Sequence, residues 1–168
     1  MSIAGRVHRV GDHVDTDVIL PGRYLTLRDQ AALGMRCFEG LDPGFAARIA
    51  PGDILAAGRN FGCGSSREHA VLALRGAGIA AVVAESAARI FFRNAINLAL
   101  PVIVAPEAAR ALAAGEAAEI DIAVGVIRQG GREWRFPPFQ GEVAAIIAAG
   151  GLAARVRATL ASGAAPGG

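Results

Sequence analysis

The sequence from residue 53 to residue 86 reads DILAAGRNFGCGSSREHAVLALRGAGIAAVVAES, and its local pattern changes three times. The short apolar runs at its two ends predict β-strands that are buried on both faces, as in a parallel sheet. Between them, Gly58, Gly62 and Gly64 predict a loop, and the residues from Ser65 onward predict a helix. The stretch is therefore expected to form a strand, a glycine-rich turn, a helix and a second strand.

The same alternation continues on the carboxyl side of this unit. AARIFFRNAINLAL (residues 87–100) predicts a second helix, and PVIVAP (101–106) predicts a third strand. The order is then βαβαβ, for which right-handed crossovers are the rule. This part of the chain predicts an α/β fold with a mostly parallel central sheet.

Flanking segments complete the expected order of elements. On the amino side, RVHRV (6–10) predicts a strand, and GDHVDTDVILPG (11–22) predicts a loop that two short helical pieces follow. On the carboxyl side, we expect a short helix at 106–115, a hairpin turning at Gln129, Gly130 and Gly131, and a last helix with a break at Gly150 and Gly151. The expected organisation is one domain, residues 1–162, and a disordered tail, residues 163–168.

Composition limits the class of protein. The chain has 168 residues, of which 53% are apolar, but it lacks the unbroken run of ~18 apolar residues that a membrane helix needs. Its net charge of +2, with one Trp and one Tyr, gives no sign of nucleic-acid binding. The amino-terminal residues do not resemble a secretion signal. We expect a soluble, cytoplasmic protein without a membrane or nucleic-acid partner.

The turn at residues 58–69 carries the first candidate site. Ser65 and Glu68 fit the S-x-x-E capping box, which favours a purely structural role. Free N–H groups at a helix start also bind anions, and an anion would explain Arg67 in the first turn, where the helix dipole disfavours a cation. The loop lacks the Lys of a nucleotide P-loop, so we do not expect phosphate binding. His69 is more typical of packing or support than of catalysis.

Cysteine usage is sparse. Cys37 and Cys63 are too few for a site with four thiolates, and in the cytoplasm we expect no disulfide between them. Cys63 lies near the expected helix start, where a thiol gains nucleophilicity, or it is a small residue filling a crowded turn. We favour the second interpretation.

A second polar cluster precedes the sheet unit. Asp12, His13, Asp15 and Asp17 either ligate a divalent metal or cap turns, and the D-x-D spacing does not separate these two roles. If the fold places Asp17 and Arg28 near the Ser65 loop, the combination would suit a polycarboxylate ligand, because arginine grips carboxylates.

Four segments together resemble a known family. VGDHVDTDVILPGRYL, GRNFGCGSSREHA, AARIFFRNAINLALPVI and AAIIAAGGLAARV resemble, in this order, the isopropylmalate dehydratase small subunits, which are swivel-domain chains of the aconitase superfamily. The resemblance covers nearly the whole chain and is closest to the short, archaeal-type form. It implies a swivel-type β/β/α fold and a hydro-lyase that dehydrates and rehydrates a hydroxy di- or tricarboxylate.

The same resemblance implies roles for individual residues. Ser65 would be the catalytic base, Asp17 the acidic catalytic residue, and Ser66 and Arg67 would line the substrate site. The loop PGRYLTLR would recognise the variable group of the substrate. The residues of this loop that would contact the substrate are Tyr24, Leu25, Thr26, Leu27 and Arg28. This loop departs from the archaeal-type pattern, because Thr26 and Leu27 precede an arginine at position 28.

Partners and substrate also follow from the resemblance. A large subunit would carry a [4Fe-4S] cluster, so that no cofactor or metal is expected in this chain, which would act in a heterodimer and could self-associate when alone. We expect 2-isopropylmalate and leucine biosynthesis, with a homoaconitate or 2,3-dimethylmalate-type dehydratase as alternatives. A non-enzymatic anion-binding module and a stand-alone Cys63 enzyme remain as further hypotheses. Docking on a large subunit predicts an exposed apolar patch beside the Ser65 loop.

Overall fold

A computed structural model describes residues 1–163, which form a seven-stranded sheet covered by helices on both faces. The strands are β1 Ser2–Arg9, β2 Asp53–Ala57, β3 Ile79–Ala84, β4 Val102–Val104, β5 Ala117–Asp121, β6 Val126–Gln129 and β7 Arg132–Arg135. The α-helices are α1 Thr16–Ile19, α2 Gln30–Gly34, α3 Glu68–Ala77, α4 Arg89–Asn97, α5 Pro106–Ala111, α6 Gly141–Ala149 and α7 Leu152–Ala161. Short 3₁₀ turns occupy Gly22–Tyr24 and Ala46–Arg48.

The parallel half of the sheet confirms the βαβαβ expectation. Strands β1, β2, β3 and β4 lie side by side and are parallel, with α3 between β2 and β3 and α4 between β3 and β4. All five residues of β2 are buried. Leu55 and Ala57 face one core cluster while Ile54 and Ala56 face the other, which is why residues 54–57 of the strand are all apolar.

Strand β1 lies at the centre of the sheet, where its parallel and antiparallel halves meet. The strand order is β4-β3-β2-β1-β5-β6-β7, and β5, β6 and β7 pair with antiparallel neighbours. The hairpin predicted at Gly130 and Gly131 is confirmed as the β6–β7 connection, and a further turn joins β5 to β6. The architecture is thus a mixed α/β sheet with a parallel half and an antiparallel half.

Helix α3 begins at Glu68, three residues later than the sequence pattern predicts. Arg67 is the residue before the helix, its backbone is extended, and no side chain caps this end. The N–H of Arg67 instead donates to the Ser65 carbonyl at 2.9 Å. The capping box of Ser65 and Glu68 is therefore wrong, because residues 64–67 form a separate turn.

The break in the carboxyl-terminal helix is confirmed. Helices α6 and α7 meet at 93° around Gly150 and Gly151, both of which have positive φ. Within residues 1–163, no single helix has the length and apolar character to cross a bilayer; this bent pair passes that test only when its two helices are combined. The predicted tail lies outside the described residues apart from Gly163, and the expected boundary of one domain at residue 162 stays a prediction.

Candidate active site

Two loops meet at the carboxyl ends of β1 and β2. The N–H of Thr16 donates to the Cys63 carbonyl at 2.9 Å, and the N–H of Gly62 donates to the Val14 carbonyl at 2.8 Å. Parallel neighbouring strands end at the same edge of a sheet, and the loops that follow them are the usual place for a ligand in α/β folds. Backbone pairing thus fixes the Asp-rich loop against the glycine-rich loop.

Two glycines permit this close approach. A Cβ on Gly62 would lie 2.2 Å from the Phe91 ring, and the φ of this residue is +79°. A Cβ on Gly58 would lie 2.0 Å from the Asp12 carboxylate. The glycine-rich composition of the turn is therefore explained by contacts with α4 and with the loop after β1.

The acidic residues of the first loop mostly act as caps. Asp12 accepts the backbone N–H of Arg59 at 2.7 Å, and this bond, followed by the Arg59 side chain, holds the pKa of the Asp12 carboxyl below its ordinary value. Asp15 caps α1 by accepting the N–H of Val18 at 2.8 Å. No group of three or more His, Cys, Asp or Glu side chains in residues 1–163 is placed to hold a metal ion. Asp15 therefore has the capping role considered for this cluster, whereas Asp12 joins the two loops.

Asp17 is the member of this cluster that faces the Ser65 loop. Its carboxylate pairs with the Arg67 guanidinium at 2.5 Å, although the two residues are 50 positions apart in the chain. Gly22 lies beside this pair, since a Cβ there would be 3.6 Å from Arg67 Nη1 and 3.8 Å from Asp17 Oδ1. The fold therefore brings together Asp17, Arg67 and the beginning of the PGRYLTLR loop.

A cavity of about 320 Å³ opens next to Ser65. Its lining comes from the two paired loops and from the first turn of α4. The residues are Thr16, Gly62, Gly64, Ser65, Ser66, Arg67, Ala88, Arg89, Ile90, Phe91 and Asn94. Ser65 and Ser66 are exposed, and neither hydroxyl bonds to another of residues 1–163. The charged side chains in this lining are both arginines, so the cavity suits a small anion.

Arg89 and Asn94 were not singled out by sequence reasoning. They belong to α4, which begins at Arg89 without a side-chain cap, so its first N–H groups have no partner within the helix. The segment ARIFFRNAIN had contributed to the family resemblance, but nothing in its local pattern indicates that it meets the Ser65 loop. Packing of Phe91 on Gly62 and Phe61 creates that contact.

The residues of the PGRYLTLR loop do not line the Ser65 cavity. Tyr24 lies between two guanidinium groups, 4.8 Å from Arg23 and 5.0 Å from Arg36. Leu25 and Leu27 are half-buried against the core, while Thr26 and Arg28 are exposed. Arg28 forms no ion pair with any other residue in the described part of the chain. Their assignment to substrate recognition stays a prediction.

The two cysteines differ in their surroundings. Cys37 is fully buried, and burial raises the pKa of its thiol far above the ordinary range, which makes it unreactive. Cys63 is half-buried and contributes its backbone to the pairing of the two loops. Both thiols are free in this structure. His69 is half-buried in the first turn of α3 and does not line the cavity.

The fold and the cationic cavity define the chain as a domain of the aconitase carboxyl-terminal type. A family model described as "Aconitase C-terminal domain" matches residues 48–107, a range that contains both the Ser65 turn and the start of α4. The chain is also similar to the crystal structure of a 3-isopropylmalate dehydratase from Methanocaldococcus jannaschii, with a TM-score of 0.92 and 41% identity. That alignment covers 97% of this chain and 98% of the other.

Two curated relatives make the assignment more specific. A 3-isopropylmalate dehydratase small subunit from Desulfovibrio desulfuricans is 48% identical over 96% of this chain and 99% of its own length. A 2,3-dimethylmalate dehydratase small subunit from Eubacterium barkeri is 44% identical over 95% of this chain and 99% of its own length. The chain belongs to the family of 3-isopropylmalate dehydratase small subunits.

Proposed function

We propose that this chain is the small subunit of a hydro-lyase that interconverts 2-isopropylmalate and 3-isopropylmalate by dehydration and rehydration, a step of leucine biosynthesis. The observation that supports this most directly is the pair of arginines lining a small cavity beside Ser65, in a chain of this family. The substrate is a small dianion, and a cavity of about 320 Å³ falls in the ordinary range for small-molecule sites.

The enzyme works as a heterodimer in this proposal. Relatives are named small subunits, which implies a larger partner chain. Residues 1–163 offer no metal site, and their two thiols are too few to hold an iron-sulfur cluster alone. We place a [4Fe-4S] cluster on the large subunit, where its open iron would supply Lewis-acid activation of the substrate hydroxyl. The cytoplasmic location stays a prediction.

Ser65 is assigned the proton transfer at the carbon next to a carboxylate. A serine hydroxyl is a weak acid, so its deprotonated form needs positive charge and a dry surrounding. The N–H groups at the start of α3 do not supply this positive charge, because the helix begins at Glu68 and not at Ser65. The guanidinium groups of Arg67 and Arg89, which share the cavity with Ser65, support the assignment instead. Closure of the large subunit over the exposed Ser65 would exclude water.

Asp17 and Arg67 act as a unit in this scheme. Arg67 binds a substrate carboxylate, and Asp17 holds the guanidinium in place through their ion pair. Ser66 lines the same cavity and is assigned a hydrogen bond to the substrate. The loop from Tyr24 to Arg28 is assigned to the rim of the assembled site, where the variable group of the substrate would meet Leu25, Thr26 and Leu27.

A second candidate substrate is 2,3-dimethylmalate. The relative from Eubacterium barkeri matches this chain nearly as well as the isopropylmalate relatives do. The two substrates differ in their apolar groups and share both carboxylates, so the same cavity suits each of them. Family membership counts against a non-enzymatic anion-binding module, and the half-buried Cys63 gives little support to a stand-alone thiol enzyme.

The test is anaerobic turnover by the reconstituted heterodimer. Wild-type, Ser65→Ala and Ser66→Ala chains are each mixed with the large subunit, and the absorbance of the unsaturated acid is followed for 2-isopropylmalate, 2,3-dimethylmalate and homocitrate. We expect turnover to require both chains and to fall by roughly 10³-fold or more in Ser65→Ala, because general-base catalysis is worth about 10²–10⁴-fold.

The neighbouring hydroxyl is the matched control. Ser66→Ala should lose far less than Ser65→Ala, because Ser66 is assigned binding and not proton transfer. Cys63→Ser should retain most activity; its inactivity would favour the thiol hypothesis. Equal losses in the two serine variants would contradict the assignment of Ser65, and the absence of turnover with an intact cluster would contradict the proposed function.

A further inference from the structure

The charges around the Ser65 cavity do not match a dianion if Arg67 is the only cation that binds it. The substrate class carries two carboxylates, whereas Arg67 already shares its charge with Asp17 at 2.5 Å. Arg28, the other arginine considered from sequence, does not line this cavity. A second positive group at the cavity would match the second carboxylate of such a ligand.

Arg89 supplies that group. It is the first residue of α4, its side chain is exposed, and it lines the cavity together with Ser65, Ser66 and Arg67. In the part of the chain that the structure describes, no carboxylate pairs with its guanidinium. Among residues 1–163, no acidic side chain lines the cavity, so the charge of Arg89 is available to a ligand.

The position of Arg89 is fixed although its side chain is exposed. The N–H of Ala88 donates to the Phe61 carbonyl at 2.9 Å, which ties the start of α4 to the glycine-rich loop. Phe91, one turn along, packs edge-on against Phe61 with ring centroids 5.1 Å apart. The backbone of Arg89 is thus held beside the glycine-rich loop that carries Ser65.

We propose that Arg89 binds the second carboxylate of the substrate, opposite the one bound by Arg67. This rests on the proposed function and deepens it: the ligand is a 2-hydroxy dicarboxylate, and the two arginines select for its two anionic ends. Arginine suits this role because its planar group donates two parallel hydrogen bonds to a carboxylate. Lysine would retain the charge but lose the paired geometry.

Arg93 provides a matched control. It lies one helical turn after Arg89, is exposed, and forms no ion pair with another of residues 1–163. Both Arg89 and Arg93 line the neighbouring apolar groove of about 460 Å³ between α4 and α6, but Arg93, unlike Arg89, does not line the Ser65 cavity. Substitution of Arg93 removes the same charge from the same helix without touching the proposed contact.

The kinetic test compares Arg89→Ala, Arg89→Lys and Arg93→Ala in the reconstituted heterodimer. We expect Arg89→Ala to raise KM for the dicarboxylate by about 10- to 100-fold, since a charged hydrogen bond is worth about 1.5–3 kcal/mol. Arg89→Lys should recover part of the loss, and Arg93→Ala should stay within about twofold of wild type. The 2-isopropylmalate monoamide that lacks the carboxylate assigned to Arg89 should inhibit wild type and Arg89→Ala with similar inhibition constants. Equal kinetics for Arg89→Ala and Arg93→Ala would overturn the proposal.

A binding experiment distinguishes failure of this proposal from failure of the proposed function. The small subunit, labelled with ¹⁵N at arginine Nε, is titrated with 2-isopropylmalate and followed by NMR. A shift of the Arg89 resonance, assigned through Arg89→Lys, supports the contact even if no turnover occurs. A titration to saturation that moves Arg67 and leaves Arg89 unmoved would overturn the proposal while the proposed function stands.

Discussion

Asp17 and Arg67 form an ion pair whose position matters more than its strength. The Asp17 side chain is 64% exposed and that of Arg67 is 26% exposed, so water screens much of their attraction. Exposed pairs of this kind contribute about 0–1 kcal/mol to stability. Their proximity to the Ser65 cavity suggests that the pair orients the guanidinium for a ligand.

Replacing Asp17 tests this distinction. In Asp17→Asn, we expect the free energy of unfolding to change by less than about 1 kcal/mol. Activity of the heterodimer should fall by about tenfold or more, because Arg67 loses its partner. Urea denaturation of the small subunit and steady-state turnover measure the two effects.

The matched control is Asp42→Asn. Asp42 forms an equally short, exposed pair with Arg48, and neither residue lines the Ser65 cavity. Loss of the Asp42–Arg48 pair in Asp42→Asn should leave the turnover of the heterodimer unchanged. If Asp17→Asn and Asp42→Asn had the same activity, the orienting role of Asp17 would be wrong.

The sequence allowed some of these residues to be predicted and not others. Asp17, Ser65 and Arg67 could be chosen through family motifs, and the structure places all three around one edge of the sheet. Arg89 could not be chosen, because its relation to Ser65 depends on how α4 packs against the glycine-rich loop, which precedes it in the chain. Local patterns carry no information about that contact.

The start of α3 shows how tertiary contacts override a local pattern. The S-x-x-E motif alone favours a helix from Ser65. Pairing of Cys63 with the loop before α1, and the positive φ of Gly64, hold the preceding residues in another conformation. Consequently the helix begins only where the chain is free of these contacts, and Ser65 stays exposed in the turn.

Gly62 determines how closely α4 approaches this turn. We predict that Gly62→Ala lowers the free energy of unfolding by about 2 kcal/mol or more, because the new Cβ meets the Phe91 ring at 2.2 Å in addition to the strain at φ +79°. Chemical denaturation measures the effect. The cavity should also widen, with loss of turnover in the heterodimer.

Gly131→Ala is the control for backbone strain. Gly131 has the same φ of +79°, but nothing lies within 4 Å of an added Cβ. Its substitution should cost only the strain, about 1 kcal/mol. A loss in Gly62→Ala no larger than in Gly131→Ala would show that the contact with α4 is dispensable.

The junction of β1 and β2 contains a buried carboxylate. Burial raises the pKa of Asp53, but the bond from His8 at 2.7 Å and those from the backbone N–H groups of Ala50 and Arg6 outweigh it. The pKa of Asp53 therefore lies below its ordinary value. A lowered pKa in the folded state contributes stability above the unfolded-state value of about 3.9, and this contribution is lost as the pH falls through the folded value.

We accordingly predict a pH-dependent difference between wild type and Asp53→Asn. Wild type should be the more stable protein at neutral pH, and its advantage should shrink as the pH is lowered below about 4. Urea denaturation between pH 7 and pH 2 measures the difference. An advantage that stays constant down to pH 2 would contradict the assignment to Asp53.

At the scale of the whole molecule, the expected apolar patch beside the Ser65 loop is small. Ile90 lines the cavity and is 56% exposed, next to Arg89 at the start of α4. Because the cavity must face the large subunit in the proposed enzyme, Ile90 is expected to become buried in that interface. Burial of an exposed apolar side chain in the interface stabilises the complex of the two subunits.

Replacing Ile90 tests the orientation of the two subunits. Ile90→Ser should weaken binding of the large subunit by about tenfold or more, measured by titration calorimetry, without lowering the thermal stability of the small subunit. Val124→Ser is the control, since Val124 is 57% exposed in the turn between β5 and β6. Equal affinities for the two variants would place the interface elsewhere.

The sequence predicted the successive elements of the parallel half well, because each strand and helix there has a distinct apolar pattern. It did not predict the position of β1, since strand order depends on pairings between distant segments. Val7 pairs with Ile54 on one side, and Ser2 pairs with Asp121 on the other. These long-range pairings define the middle of the sheet.

The central place of β1 has a consequence for synthesis of the protein. Ser2 is synthesised before its partner Asp121, which follows on the order of ten seconds later at ordinary translation rates. During that interval the amino-terminal strand has an open edge. The charged side chains of Arg6 and Arg9 in this strand oppose pairing with other nascent chains. The central strand is thus synthesised well before β5 pairs with it. Until then, the charges of β1 oppose its pairing with other chains.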